Sequence, residues 1–405
     1  MNILYIVQGF PPSIGAGAIN AYKIAKYLAG FNHKILVLSP GVFSKPSNES
    51  KASVIERLND TDIEVKYSSK LMRIPLNLTL SHFENMIRFF LKLKSRFRPD
   101  VVLSQYQAFH YASVVGGYLS KILKIPHISR SHDIFFPTDA FSMPLRLFYS
   151  SIYTRIYRSI LNCDIFYVTT SEMKRHYLKF KKLKSVNFKL HHNGIDTDQF
   201  YPFDNQEELK EKFNADNIVL FVGQISRDYD LGFILKIIPD ILKTHKDTHF
   251  LIIGSGPHEK SLVEFIKDNS LTKQIHFLGI KAHEEIPYYI NNSDIGIGRI
   301  TREKIWRYMI PVKCLEYMAC AKPFVTAPLS QDLIRNNDVG LVLKRSFTEK
   351  ELLDKLIMLI EDSSLRKRLG ENGMKKIHQK FRWEVIMEEF NNELIDLKTN
   401  YLKQI

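Results

Sequence analysis

The chain has 405 residues, a mass of 47.2 kDa and a formal net charge of +14. A chain of that length is longer than a single domain with one hydrophobic core usually is. It indicates two domains of about 200 residues each. With 45% hydrophobic and 25% charged residues, the composition is that of a folded globular protein and excludes a largely disordered one.

The cysteines and the opening segment set expectations about location. Cys163, Cys314 and Cys320 are scattered and lack CxxC spacing, so they indicate neither a disulfide framework nor a zinc site. The opening MNILYIVQGFPP has no basic n-region, and the chain has no run of about 18 uninterrupted apolar residues. We therefore expect a cytoplasmic protein without a signal peptide or a spanning helix.

The excess of positive over negative charge lies entirely in the first half of the chain. Lys and Arg balance Asp and Glu over residues 201–405, so the whole excess lies in residues 1–200. Three basic stretches there also carry aromatic residues, at 85–98, 144–161 and 174–184. They indicate a surface for nucleic acid, anionic lipid headgroups or an anionic lipid-linked substrate, or else helices with solvated basic faces.

In chain order, short β-branched runs alternate with amphipathic helical stretches, which is the pattern of parallel βαβ units. Strands are predicted in the first half at residues 3–7, 34–38, 100–104, 126–129, 164–170 and 186–190. The polar segment 191–204 lacks a helical period and is predicted to be a linker. The alternation restarts with strands predicted at residues 217–223, 249–254, 275–279, 294–298 and 323–327. Residues 364–405 are predicted to be helical throughout.

These elements predict an α/β protein with two doubly wound domains. We place the boundary near residue 200, with an N-terminal Rossmann-like domain over residues 1–200 and a second over 201–380. Residues 381–405 are predicted to form a helix that packs back toward the N-terminal domain.

Four turns that follow predicted strands are candidate sites, because ligands of open α/β sheets bind at the carboxyl ends of strands. After the first strand, Gly15 and Gly17 open a helix, and glycine lets the backbone approach a phosphate or sugar closely. No third glycine completes a dinucleotide fingerprint, so a plain loop is the alternative. Gly254 and Gly256 precede a helix predicted to begin at Pro257, and tight-turn chemistry alone explains them equally well.

A histidine follows another buried strand directly, in the segment ISRSHDIFFP. His132 at the carboxyl end of that strand could donate to a departing oxygen or a developing charge. The His132–Asp133 pair alone is more often structural, so both interpretations stay open.

The segment YMIPVKCLEYMACAKPFVTAP, residues 308–328, is the fourth candidate. Pro311 disfavours helix at Ile310, so the helix that follows is predicted to present free N–H groups beside Lys313 as an anion site. Glu316 is predicted to lie in the first turn of that helix. There its carboxylate would accept from ribose hydroxyls, or else act as a capping group.

A series of short segments, from FPPSIGAGA through NGIDTDQF and PVKCLEYMACAKPFV to FRWEVI, resembles in content and order the family-four retaining glycosyltransferases of GT-B fold. The resemblance spans nearly the whole chain. It implies GT-B architecture, with two Rossmann-like domains that face a central cleft. It also implies an acceptor-binding N-terminal domain, a C-terminal domain that binds a nucleotide sugar, and transfer with retention of anomeric configuration.

Residue roles follow from the same resemblance. Glu316 matches the second acid of the family's E-x7-E motif, which holds the ribose, and His132 matches the family histidine near the transferred sugar. Gly15 and Gly17 match the loop near the donor diphosphate, and residues 311–313 would cradle the phosphates. The positions predicted to bind the donor are Gly15, Gly17, Gly223, Arg227, Arg299, Tyr308, Pro311, Val312, Lys313 and Glu316. No cofactor or metal is expected.

Three positions depart from the family pattern. Tyr308 stands where the first acid of the motif is expected, and Gln224 and Tyr229 occupy the usual Arg and Lys positions for phosphate binding. The counter-charges would then come from a set of other basic residues. That set is Arg227, Arg299, Arg302, Arg307 and Lys313.

The sequence therefore predicts a glycosyltransferase, peripheral at the inner face of the membrane through its basic N-terminal domain. It would move a sugar from a nucleotide diphosphate sugar onto a glycan or lipid-linked acceptor in surface polysaccharide or glycoconjugate synthesis. The departures motivate a non-catalytic sugar-nucleotide-binding or scaffolding protein as the alternative. Nucleic acid is not expected as a partner, because no recognition module for it is present. The DTD triplet at 196–198 lies in the predicted linker and is not expected to bind metal.

Overall fold

The computed structural model describes residues 1–12, 16–39, 54, 56, 58–59, 61–67, 87, 90–91, 96–106, 112–131, 160–203, 207–225, 231–336 and 338–403. The chain divides into two compact units. The first comprises Met1–His192 together with Ile386–Ile405, and the second comprises Asn193–Val385. The unit boundary thus lies inside the predicted linker, before residue 200.

The first unit contains a parallel sheet in the order β3-β2-β1-β4-β5-β6-β7. Its strands are β1 (Asn2–Ile6), β2 (Lys34–Ser39), β3 (Ile63–Tyr67), β4 (Val101–Tyr106), β5 (His127–Ser131), β6 (Ile165–Val168) and β7 (Phe188–Leu190). Its helices include α1 (Ala16–Gly30), α2 (Ala112–Leu123) and α3 (Ser171–Tyr177). The central strands are buried on both faces, which is why they are continuous apolar runs.

The second unit contains a parallel sheet in the order β10-β9-β8-β11-β12-β13. Its strands are β8 (Asn217–Val222), β9 (Thr248–Ile253), β10 (Ile275–Gly279), β11 (Ile295–Ile297), β12 (Phe324–Thr326) and β13 (Leu341–Val342). Its helices include α4 (Glu208–Phe213), α5 (Leu231–Thr244), α6 (Glu259–Asp268), α7 (Ile286–Asn291), α8 (Val312–Ala319), α9 (Glu349–Glu361) and α10 (Ser363–Lys376). Two apolar clusters, one on each face of the sheet, form its core.

Two strands of the structure are not predicted from the sequence. β3 (IEVKY) lies at the sheet edge and carries charged residues, and β13 is only two residues long. The strands that were predicted are all present, with ends shifted by a few residues. Buried apolar runs mark central strands clearly, whereas short or edge strands lack that signal.

The prediction that residues 364–405 are helical throughout is wrong. α10 continues as a π-helical turn (Ile377–Phe381), Arg382 is extended with φ −71° and ψ 140°, and α11 begins at Trp383 and ends at Leu402. The break occurs because the chain here pairs with Ile195, whose N–H donates to the Phe381 carbonyl at 2.8 Å. α11 leaves the second unit after Val385 and continues in the first.

Within the described part of the chain, no helix combines the length and the apolar character needed to cross a bilayer.

Candidate functional site

The strand order of the second unit reverses beside β8. The chain runs from β8 to β9 and β10 on one side, then continues with β11 on the other. Phe221 in β8 pairs in register with Ile297 in β11. Gly223 and Arg299, each two residues further on, therefore follow the strand ends at the same edge of the sheet. Ligands of open α/β sheets bind in the crevice at such a reversal.

The turn after β8 contains a glycine, Gly223, at a position where the backbone conformation favours glycine. Gly223 has φ +151°, a conformation that other residues rarely adopt, and its N–H donates to the Ile253 carbonyl at 3.0 Å. Gly254 has φ +141°, and a Cβ there would lie 1.8 Å from the Gly223 carbonyl oxygen. A Cβ at Gly256 would lie 2.0 Å from the Ile225 carbonyl oxygen. The two turns therefore pack backbone against backbone, which accounts for both glycines of the second turn.

The helix after that second turn begins later than predicted. α6 starts at Glu259 with His258 as its N-cap, and Pro257 lies before it in the turn. The close packing of Gly256 against Ile225 holds the chain out of helical geometry up to this point.

Helix α8 points its N-terminus toward the reversal. Pro311 is the N-cap, extended with φ −64° and ψ 132°, so the first N–H groups of α8 have no partner within the helix. The Tyr317 hydroxyl lies 3.3 Å from the carbonyl oxygens of both Leu220 and Ile297, and a Cβ at Gly296 would strike its ring. Tyr317 thereby ties the helix to the two strands that flank the reversal.

Lys313 brings positive charge to the same place. Its Nζ lies 4.5 Å from the centroid of the Phe221 ring and 3.5 Å from the position that a Cβ at Gly223 would occupy. The ammonium group and the positive end of α8 therefore meet at the carboxyl end of β8. A helix N-terminus beside a cation is an arrangement that favours anions such as phosphate.

The predicted place of Glu316 in the first turn of its helix is wrong. Because Pro311 is the cap and α8 starts at Val312, Glu316 falls in the second turn, where the helix N-terminus has less effect on its charge. Its side chain is 7% exposed, and Oε1 lies 2.9 Å from His283 Nε2. A neighbouring loop therefore engages the carboxylate, which does not cap the helix.

His283 and Gln199 were missed by the sequence analysis. His283 opens a short 3-10 turn between β10 and α7, and Gln199 lies in the NGIDTDQF segment, where its Nε2 donates to the His283 carbonyl at 3.0 Å. Neither residue sits in a periodic pattern or a recognisable motif for such a contact. The pairing arises only when β10 and α8 are brought together in the fold.

The basic residues near the reversal are held in different ways. Arg299 stacks on Trp306, with 4.1 Å from its Cζ to the ring centroid, and Arg307 donates to the Tyr308 hydroxyl at 2.7 Å. Arg302 instead donates to the Phe347 carbonyl at 3.0 Å. Arg302 thus contributes to packing beside α9, while Lys313 places its ammonium group at the end of β8.

The Asp196–Asp198 triplet forms a turn. The Asp198 N–H donates to Asp196 Oδ1 at 3.3 Å, and the Phe200 N–H donates to the Asp196 carbonyl at 2.9 Å. Within the described ranges, no cluster of three or more His, Cys, Asp or Glu side chains is arranged to hold a metal ion.

Gly17, the described candidate residue of the first unit, lies at the corresponding reversal between β1 and β4. Gly17 is in the first turn of α1, and a Cβ there would meet no atom within 4 Å. Gln105, buried at the end of β4, donates to the Gly17 carbonyl at 3.1 Å and accepts from the Gln8 N–H at 3.1 Å. It therefore fastens both ends of the connection between β1 and α1. Three predicted site residues, Gly15, His132 and Arg227, lie outside the described residues.

A buried arginine sits at the end of β5, two residues before His132. Arg130 is 1% exposed, and its Nε donates to His191 Nδ1 at 2.6 Å. Its Nη2 also donates to the carbonyl oxygens of His191 and His192, at 3.3 and 3.2 Å. Burial lowers the pKa of Arg130 to about 10, which leaves it charged at neutral pH. Arg130 thereby fixes His191 and His192, after which the chain enters the second unit.

The two Rossmann-like sheets define the GT-B fold. The structure of HepE from Anabaena in complex with UDP-glucose has a TM-score of 0.72 to this chain at 17% identity, and the match covers 98% of this chain and 100% of that one. At that identity the likeness establishes the fold.

Family comparisons agree with this fold. Residues 18–199 match Glycosyltransferase Family 4, and residues 203–376 match Glycosyl transferases group 1. The chain belongs to this group of family-four-like glycosyltransferases of GT-B fold.

Two relatives illustrate the range of the family. The chain is 27% identical over 184 residues to alpha-D-kanosaminyltransferase of Streptomyces kanamyceticus, covering 44% of this chain and 46% of that protein. It is 28% identical over 205 residues to the capsular polysaccharide biosynthesis glycosyltransferase CapM of Staphylococcus aureus, covering 49% and 52%. The matches thus span about half the length of these relatives.

Proposed function

We propose that this protein is a retaining glycosyltransferase that moves a sugar from a nucleotide diphosphate sugar onto a glycan or lipid-linked acceptor. Family membership supports transferase chemistry, and the two relatives are named for sugar transfer. The neighbouring HepE structure holds UDP-glucose, which supports a nucleotide sugar as the donor class.

One observation carries the proposal. The N-terminus of α8, the Lys313 ammonium over Phe221 and the turn at Gly223 meet at the carboxyl end of β8, and Glu316 lies one helical turn further along α8. Phosphate oxygens would accept from the backbone N–H groups at residues 312 and 313 and from the Lys313 ammonium. A ribose held next to that phosphate would donate its hydroxyl groups to Glu316.

The proposed reaction is a displacement on one face of the sugar. The bond from the sugar C1 to the diphosphate oxygen breaks, and the acceptor hydroxyl oxygen bonds to C1 from the same side. The acceptor proton passes to the departing diphosphate, so no protein nucleophile is needed. Lys313 and the N-terminus of α8 would stabilise the negative charge that grows on the leaving group. His132 is proposed to contact the transferred sugar.

The first unit is proposed to bind the acceptor. We further propose that it rests on an anionic membrane surface at the cytoplasmic face, because Arg175, Lys179, Lys181, Lys182 and Lys184 are close in sequence and all exposed. A lipid-linked acceptor with phosphate groups would be drawn to the same charge.

The test is a thermal-shift screen with UDP-, GDP-, ADP- and CMP-sugars, made on the wild type and on Glu316→Ala. We expect one nucleotide class to raise the melting temperature by roughly 2–4 °C at about 100 times its Kd. Loss of hydrogen bonds to a charged carboxylate should weaken that ligand by about tenfold or more in Glu316→Ala. Glu361→Ala is the matched control, because Glu361 also pairs with a histidine, His245, but at 3.3 Å and away from the site.

Release of the nucleoside diphosphate in the presence of a phosphorylated lipid acceptor then separates the two candidate functions. Binding with turnover supports the transferase. Binding without hydrolysis or transfer would favour the non-catalytic sugar-nucleotide-binding alternative, which Gln224 and Tyr308 motivate. Absence of any shift in the wild type would contradict both.

A further inference from the structure

We infer that His283 is a positioning residue that selects for the ribose of the donor by orienting the Glu316 carboxylate. The inference rests on the proposed function, since it concerns the same site. His283 does not belong to the helix that carries Glu316. It reaches Glu316 from the turn after β10, on the far side of β9 and β8 in the sheet order.

The chemistry of the contact determines which ring nitrogen carries the proton. An ionised carboxylate can only accept a hydrogen bond, so His283 Nε2, 2.9 Å from Glu316 Oε1, must donate. In neutral His283 the other nitrogen, Nδ1, is then an acceptor. Gln199 Nε2, a donor, lies 3.4 Å from that Nδ1 and 3.0 Å from the His283 carbonyl oxygen. The direction of donation therefore runs from Gln199 through His283 to Glu316.

The ring of His283 is also supported by packing. Phe200, which is 1% exposed, lies 5.2 Å from it between ring centroids at an interplanar angle of 52°. Gln199 and Phe200 follow the Asp196 turn directly, so the NGIDTDQF segment holds the imidazole from one side. The side chain of His283 remains 44% exposed, which leaves its outer edge open to a ligand.

The hydrogen bond from His283 engages one of the two carboxylate oxygens of Glu316. His283 engages Oε1, and among the described residues no other hydrogen bond reaches this carboxylate. Its second oxygen is therefore available to accept from a hydroxyl group, and the hydrogen bond from His283 restricts the orientation of the carboxylate. A site that positions an acceptor for a hydroxyl discriminates strongly against a ligand that lacks it. The fold thus assigns to His283 the preference for ribose over deoxyribose.

The experiment measures binding of UDP, GDP and ADP and of their 2′-deoxy and 3′-deoxy forms by calorimetry. We expect the wild type to bind one ribonucleotide more tightly than a deoxy form of it. In His283→Ala the Kd of the ribonucleotide should rise by about tenfold while that of the deoxy form stays the same, because only the hydroxyl contact is lost. In His283→Gln the amide nitrogen can replace the Nε2 donor, so the preference should largely return.

Two further variants keep the result interpretable. His245→Ala removes a histidine that pairs with Glu361 elsewhere in the second unit, and it should leave the preference intact. Gln199→Leu removes the donor to His283 with little change in volume, and it should reduce the same preference by a smaller factor. This variant also tests the network if His283→Ala folds poorly.

The outcomes are distinct. If the wild type prefers the ribonucleotide and His283→Ala keeps that preference, the inference is wrong while the proposed function stands. Equal weakening of ribonucleotide and deoxy forms in His283→Ala would also overturn it, because that pattern reflects general damage to the site. If the wild type binds none of the nucleotides, the proposed function itself fails.

Discussion

Individual histidines of the second unit are used in contrasting ways. His283 is largely exposed and paired with a carboxylate, whereas His276 lies between a second histidine and an aromatic ring. His249 Nδ1 is 2.9 Å from His276 Nε2, and Phe213 stacks on His276 with 3.9 Å between ring centroids. Burial, with the nearby His249 and Lys212 as smaller causes, lowers the pKa of His276 to about 4. The side chain is therefore neutral in the folded protein at neutral pH.

That pKa predicts a pH dependence of stability. A histidine in the unfolded chain has a pKa of about 6.5. As the pH falls from about 6.5 to about 4, His276 therefore becomes protonated in the unfolded state but stays neutral in the folded state. The free energy of unfolding should fall in this window by roughly 1–2 kcal/mol, a value reduced for the partial exposure of the ring. Urea unfolding at pH values from 7 to 5 measures it.

The matched variant is His276→Gln, which can keep a hydrogen bond to His249 but does not titrate. We expect its stability to depend less on pH than that of the wild type over the same range. The exposed His378, replaced in the same way, controls for the loss of one imidazole. Identical pH dependence in the wild type and His276→Gln would contradict the prediction.

Among the elements, α11 belongs to both units. It starts in the second unit at Trp383 and completes the first, where Phe390 packs on Tyr167 and His191 at 5.1 and 4.7 Å between ring centroids. Asn391 Oδ1 lies 2.6 Å from His33 Nε2. Residues from the far end of the chain thus close the core of the first unit.

Deletion of residues 386–405 should therefore destabilise the first unit and spare the second. Loss of a buried phenylalanine such as Phe390 alone costs about 3–5 kcal/mol, which is a large part of the stability of a typical domain. Calorimetry of the truncated chain should show one unfolding transition weakened or missing and the other retained. A chain that ends at Asn400 is the control, and equal loss of both transitions would count against this division.

At the scale of the whole molecule, the net charge is divided unevenly between the two halves of the chain. The second half is electrically balanced and the first carries the whole excess. In the described part of that half, residues 174–184 place basic side chains outward over the buried Tyr177 and Leu183. An anionic membrane would attract this surface within a Debye length, about 10 Å at 0.1 M salt.

This charge predicts that the protein sediments with vesicles containing anionic lipid at low salt and is released at high salt. Replacement of Lys181, Lys182 and Lys184 by Gln should reduce the bound fraction, at about 1 kcal/mol per lysine near the surface. The matched control replaces three exposed lysines of the second unit, Lys246, Lys267 and Lys273, and should bind as the wild type does. Failure to sediment at any salt concentration would exclude the membrane proposal.

The sequence by itself determined the βαβ alternation and the two Rossmann-like sheets, and it predicts an anion site at Pro311–Lys313. These depend on local signals: buried apolar runs, and a proline before a helix. Only the tertiary structure decided that Arg382 breaks the terminal helix and that Arg302 packs beside Phe347.

The same division holds inside the candidate site. Glu316 is visible in the sequence as an acid in an apolar helix, but its partner His283 lies 33 positions away and Gln199 lies farther still. Such contacts form between a helix and loops that only the folded chain brings together, and no period or spacing in the sequence indicates them. The sequence therefore predicts which groups bind a donor, and the fold decided how the carboxylate among them is held.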